Sequence, residues 1–178
     1  TSQSITVTSS GSYSVTVTYV NGCSNSSSAT NVIVNSNPAP TITPDGPTNF
    51  CQGNNVTLTS SAANSYLWSN GGTSQSITVS SSGSYTVTVT YANGCSNSST
   101  ATSVTVNNNP SPSITPSGAT TFCQGNSVTL TSIVANSYLW SEGSTSQSIT
   151  ISNSGAYNVT VTDGNGCAGS AGFSTTIT

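Results

Sequence analysis

Five cysteines are the residues of this 178-residue chain whose type and spacing point most directly to covalent chemistry. Cys23, Cys95 and Cys167 lie 72 residues apart (95 − 23 = 72; 167 − 95 = 72), and Cys51 and Cys123 keep the same interval (123 − 51 = 72). No histidine and no Cys-x-x-Cys pair accompanies them, so neither zinc nor a redox-catalytic pair is indicated. They read as disulfides made outside the reducing cytosol.

Other chemistry is poorly provided for. A Ser or Thr nucleophile needs a base, and the chain has no Lys, Arg or His. The only acids, Asp45, Glu142 and Asp163, are scattered, so neither a carboxylate pair nor a calcium cluster is expected. Catalytic residues, cofactors and metals are all expected to be none. Phosphate binding draws its sequence-independent affinity from Lys and Arg, so nucleic acid is excluded as a partner, and so are anionic membrane surfaces. No apolar run is long enough for a membrane span. An extracellular or cell-surface location is the expectation.

The elements that must position the cysteines repeat with them. TSQSITVSSSGSYTVTVTYANGC, Thr73 to Cys95, recurs almost word for word at Thr1 to Cys23 and at Thr145 to Cys167. A fixed period of that size implies a tandem array of small modules. We divide the chain into residues 1–37, the C-terminal half of a truncated module, and complete modules at 38–109 and 110–178. The half module needs strands from elsewhere, either from a longer polypeptide of which this is a piece, which we favour, or from a neighbouring chain. The Asn- and Pro-rich stretches Asn35 to Pro44 and Asn107 to Pro116 are stiff linkers.

Alternation of apolar and hydroxyl residues predicts strands at Thr41–Thr43, Val56–Ser60, Ser65–Ser69, Ser76–Ser80, Ser84–Tyr91 and Thr102–Asn107, with the third module repeating them. In the first 37 residues the predicted strands are Ser4–Val7, Tyr13–Tyr19 and Asn31–Val34. A period of two turns Val56, Leu58, Tyr66, Trp68, Ile77, Val79, Tyr85, Val87, Val89, Val104 and Val106 inward. The third-module counterparts include Trp140, Tyr157, Phe173 and Ile177. Thr57, Thr59, Thr78, Thr86, Thr88, Thr90 and Thr105 point out, combining β-branched preference with a solvent-side hydroxyl. Two antiparallel sheets packed face to face accommodate such strands. Trp68, Trp140, Tyr85 and Tyr157 are assigned to the core, not to ligand stacking.

The unit, with Trp68 on its third strand and Gly83-Ser84-Tyr85 opening a later one, resembles immunoglobulin-like and PKD-like sandwiches. More narrowly, Phe50-Cys51-Gln52-Gly53, Leu67-Trp68-Ser69-Asn70-Gly71 and Asn93-Gly94-Cys95 make it similar to the Ig-like repeats of large secreted Bacteroidetes surface proteins, of the gliding and adhesin type exported by type IX secretion. The resemblance implies an all-β fold of tandem immunoglobulin-like modules and a structural stalk or filament, and it carries over no catalytic residue.

In an immunoglobulin topology Cys51, before the strand Val56–Ser60, and Cys95, after the strand Ser84–Tyr91, lie at opposite ends of the sandwich. An intermodule Cys51–Cys167 bond is then favoured, leaving Cys23, Cys95 and Cys123 to partners outside the fragment. The alternative is an internal bond in each module, Cys51–Cys95 and Cys123–Cys167. The expected partners are neighbouring modules of the same or identical chains. The competing functional readings are a carbohydrate- or surface-binding module, with Tyr91 and Asn side chains as contacts, and a self-assembling fibre subunit.

Overall fold

In a computed structural model the chain is described over residues 3–178, with the side chain of Ile177 outside the described set. Among the described residues there are strands and turns and no helix. Four short strands come first, β1 (Gly11–Tyr13), β2 (Thr16–Thr18), β3 (Ser24–Ser26) and β4 (Thr30–Val32). Nine follow: β5 (Ile42–Pro44), β6 (Asn49–Cys51), β7 (Val56–Ser60), β8 (Ser65–Trp68), β9 (Ser76–Val79), β10 (Gly83–Tyr85), β11 (Val87–Thr90), β12 (Ser96–Ser98) and β13 (Thr102–Asn107). The last seven are β14 (Ile114–Pro116), β15 (Thr121–Phe122), β16 (Val128–Ser132), β17 (Ser137–Trp140), β18 (Ser148–Ile151), β19 (Gly155–Thr162) and β20 (Ala168–Ile177).

Two immunoglobulin-like sandwiches result. In the one containing Trp68, β5-β7-β9 forms one sheet, and two further three-stranded sheets, β10-β13-β6 and β12-β11-β8, make up the rest. In the one containing Trp140 the sheets are β14-β16-β18 and β15-β20-β19-β17. Between them lie Val56, Leu58, Trp68, Ile77, Val79, Val87, Val89 and Val104 in the first core, and Val128, Leu130, Trp140, Ile149, Ile151, Val159 and Val161 in the second. Alternation explains this division, since Val56, Leu58, Val87 and Val89 are buried while Thr57, Thr59 and Thr88 between them stay partly in solvent. Outer-face hydroxyls pair across strands, as in Thr88 Oγ1 with Ser98 Oγ at 2.7 Å and Thr160 Oγ1 with Ser170 Oγ at 2.9 Å.

Each indole sits in its core and still satisfies its N–H, Trp68 Nε1 donating to the Ser74 carbonyl and Trp140 Nε1 to the Ser146 carbonyl, both at 2.8 Å. Tyr85 and Tyr157 are half-buried against these cores, not enclosed by them. Their hydroxyls donate back to the carbonyls four residues upstream, Ser81 at 3.0 Å and Asn153 at 3.1 Å. That is the tyrosine corner of immunoglobulin-type sandwiches.

Several expected boundaries change. The strand expected at Ser84–Tyr91 is split at Thr86 into β10 and β11, and its partner begins at Ser96, earlier than the pattern suggested. Tyr85 faces Thr102 while Val89 faces Asn97, so the partner strand carries one extra residue between these pairs. This is a β-bulge. In the Trp140 sandwich Tyr157 faces Phe173 and Val161 faces Gly169 in unbroken register, and β19 and β20 run through. Losing the bulge shifts the inward phase of β20 by one residue, so Thr175 is buried where Val104 lies in the other sandwich; its hydroxyl donates to the Asn153 carbonyl. A uniform copy of the strand pattern does not capture that shift.

Residues 3–37 form no sandwich. β1 pairs with β4 and β2 with β3, and Ser4–Val7 is not a strand, because residues 3–37 offer it no counterpart of β7. The inward parity survives without a cover. Val15 and Val17 are 58% and 48% exposed, against 0% and 1% for the corresponding Val87 and Val89.

Candidate functional site

The structure joins Cys51 to Cys167, with S–S 2.06 Å and Cα–Cα 5.5 Å. Both cysteines are held by local backbone chemistry. Cys51 ends β6, which lies parallel to β13 with Asn107 facing Cys51. The Gln52 N–H donates to the Asn107 carbonyl at 2.8 Å, and the Asn107 amide donates to Asn49 Oδ1 at 2.6 Å. Gly53, at φ 98°, turns the chain into β7, a conformation that disfavours any residue with a Cβ. The edge strand β6 was not anticipated. It is too short to show an alternating pattern, and it is what carries Cys51 to the far end of the sandwich.

Cys167 closes the turn between β19 and β20 and is fully buried. Asp163 Oδ1 accepts the N–H groups of Asn165 at 2.8 Å and Cys167 at 2.9 Å, while the Asp163 N–H donates to the Cys167 carbonyl. Asp163, an isolated acid in the sequence, therefore shapes the turn that presents the sulfur. At the equivalent turn Asn93 Oδ1 accepts the Cys95 N–H, and at the first one Asn21 Oδ1 accepts that of Cys23.

Cys23 and Cys123 are exposed free thiols, and Cys95 is half-buried and free. Cys51 and Cys95 are kept apart by the path of β12 and β13, from Ser96 to Asn107, which at about 3.3 Å per residue runs roughly 36 Å. A disulfide tolerates Cα separations only up to about 7 Å. The cysteine that ends β6 of one sandwich therefore meets the cysteine that precedes β20 of the other, and not a partner within its own sandwich.

Each linker is seated on the strand that follows a cysteine turn. Asn97 Nδ2 donates to the Pro38 carbonyl at 2.9 Å, and Pro38 and Pro40 are buried. At the corresponding place in the Trp140 sandwich Gly169 lies so close to Pro110 that a Cβ would overlap the Pro110 carbonyl. Gly169→Val is expected to cost about 1–3 kcal/mol by forcing backbone apart. Gly164→Val, in open space in the same turn region, is expected to leave the urea midpoint almost unchanged. Equal midpoints for the two variants would show that the linker is not seated there.

Other surface features are modest. Tyr19 is 65% and Tyr91 36% exposed near the cysteine turns. A shallow open groove is lined by Pro47, Asn49, Phe50, Asn54 and Asn55, and its counterpart by Ser117, Phe122, Asn126 and Ser127. Asp45 accepts the Thr57 N–H at 2.8 Å, a structural contact, and Glu142 accepts from its neighbour Ser141 at 3.2 Å. Among the described residues no three Cys, His, Asp or Glu side chains gather.

No family model matches the chain, and no curated protein matches it. Among solved structures it is similar to the three N-terminal domains of the bacteriophage RB49 highly immunogenic outer capsid protein (Hoc), at 21% identity and a TM-score of 0.41, covering 78% of this chain and 59% of that one. It is also similar to murine CEACAM1b, at 15% identity and a TM-score of 0.37, covering 78% of this chain and 100% of that one. A third likeness is to the fibronectin(III)-like modules of Clostridium thermocellum CbhA, at 13% identity and a TM-score of 0.36, covering 77% and 95%. The chain thus spans less than two thirds of the Hoc structure, and none of these likenesses assigns it a ligand or partner.

Proposed function

We propose that the chain is a non-catalytic structural segment of a secreted bacterial cell-surface adhesin, in which tandem immunoglobulin-like modules form a disulfide-reinforced stalk. The observation that carries this reading is the Cys51–Cys167 bond, which ties the end of one sandwich to the turn that opens β20 in the next. Outer faces of Thr, Ser and Asn with neither Lys nor Arg suit a spacer that meets few partners and offers trypsin no cleavage site. The Bacteroidetes affinity rests on the motif resemblance. Neighbouring modules are the partners this role requires.

Small-angle scattering of the 178-residue chain tests the role. An elongated particle whose maximum dimension distribution broadens after reduction is the expected result; a compact particle, or one indifferent to reduction, would remove the stalk reading. The exposed Tyr91 and the Asn-lined groove favour a second reading, a glycan-binding module. Glycan-array binding that is lost in Tyr91→Ala would establish it in place of the spacer.

A further inference from the structure

The staple does more than hold a joint, because of where it enters the chain. Cys51 lies at the end of β6, the second strand of its sandwich, and Cys167 immediately precedes β20, the last strand of the other. Tension applied to the chain ends therefore has a covalent shortcut: through β5 and β6 to the Cys51 sulfur, across to the Cys167 sulfur, and out along β20. Strands β7 to β13 and β14 to β19 lie off that path. They contain nearly all of both cores, including Trp68 and Trp140.

We propose that the chain is a tension-bearing tether whose two cores are mechanically bypassed, and whose extensibility is released by reduction of Cys51–Cys167. The inference goes beyond the stalk reading and depends on connectivity alone. The bond spans a sequence separation of 116 residues. At about 3.5 Å per extended residue, roughly 400 Å of contour length is withheld while it is intact.

The remaining cysteines keep the same register. Cys123 stands 72 residues after Cys51, and Cys95 stands 72 before Cys167 (123 − 51 = 72; 167 − 95 = 72). A staple of separation 116 recurring every 72 residues overlaps the next by 44 (116 − 72 = 44). Wherever modules continue in this register, each stretch of chain falls inside at least one loop, and no module can pay out its full length. Cys23, Cys95 and Cys123 are the positions through which such overlapping staples would run.

Release is a two-electron step. A dithiol reductant supplies two electrons and two protons, its own sulfurs closing to a cyclic disulfide, while the Cys51–Cys167 bond opens to two thiols.

The test is single-molecule pulling of the full chain through peptide handles fused at both ends, with Cys23, Cys95 and Cys123 changed to Ser so that thiol exchange cannot reshuffle the bond. The oxidised molecule is expected to reach its contour limit without releasing either core. The same molecule, held at constant force after addition of a dithiol, is expected to lengthen by about 400 Å. Equal limits before and after would overturn the proposal. So would two separate gains of about 150 Å each when the unsubstituted chain is pulled and reduced, the signature of internal Cys51–Cys95 and Cys123–Cys167 loops. Because each molecule is its own control, the result does not depend on whether a cysteine-free variant folds, and an indifferent scattering profile would not alter it.

Discussion

Replacing Trp68 with alanine is expected to unfold one sandwich and spare the other. Trp68 is 2% exposed, closes the core formed by Leu58, Ile77, Val87 and Val89, and donates its indole N–H to Ser74. Truncation removes the largest buried side chain of that core, leaves a cavity, and orphans a carbonyl. Trp→Ala changes at such sites cost about 3–5 kcal/mol. A domain of this size has only about 4–10 kcal/mol to lose, at roughly 0.05–0.15 kcal/mol per residue. The two Trp residues belong to separate cores, so in Trp68→Ala the emission of Trp140 becomes a reporter of its own sandwich alone. We expect its guanidinium midpoint to stay close to that of the unmodified chain, while the far-ultraviolet circular dichroism loses an early share of its amplitude. Movement of the Trp140 transition with the first would mean that the sandwiches unfold as one unit.

The second large effect concerns the staple. Closing a loop of 116 residues restricts the fully unfolded chain enough to contribute about 5 kcal/mol, summed over the unfolding of both sandwiches. Cys51→Ala with Cys167→Ala should therefore lower the urea midpoint of the complete chain, an effect larger than any exposed substitution would produce. Thiol titration provides an independent count: three reactive thiols in the denatured oxidised chain, from Cys23, Cys95 and Cys123, and five after reduction. Chymotryptic mapping without reductant should return one linked species containing Cys51 and Cys167. A count of one thiol, or a Cys51–Cys95 peptide, would contradict the connectivity.

What the strand pattern determined was the core. A period-two alternation leaves one face to bury, and the residues it turns inward, from Val56 and Leu58 to Val87 and Val89, are those buried, with Tyr66, Tyr85 and Val106 half-buried around them. Local turn chemistry was legible too, because Asn-Gly before each of Cys23, Cys95 and Cys167 requires a left-handed glycine, found at φ 84°, 82° and 81°. The sequence also supplied the spacing of the cysteines and the absence of any cation.

Tertiary structure alone decided the rest. β6 is a three-residue edge strand held by β13, a partner more than fifty residues away, and nothing within Asn49–Cys51 announces it. The bulge opposite β10 and β11, and its loss between β19 and β20, depend on cross-strand register, which a one-residue change shifts without altering composition. Ser4–Val7 has the alternation of a strand and forms none, since a strand exists only where another offers it hydrogen bonds. The bond between Cys51 and Cys167 stands between the two: spacing allows several pairings, an immunoglobulin topology favours this one, and the direction in which β6 and β20 run brings these two sulfurs together.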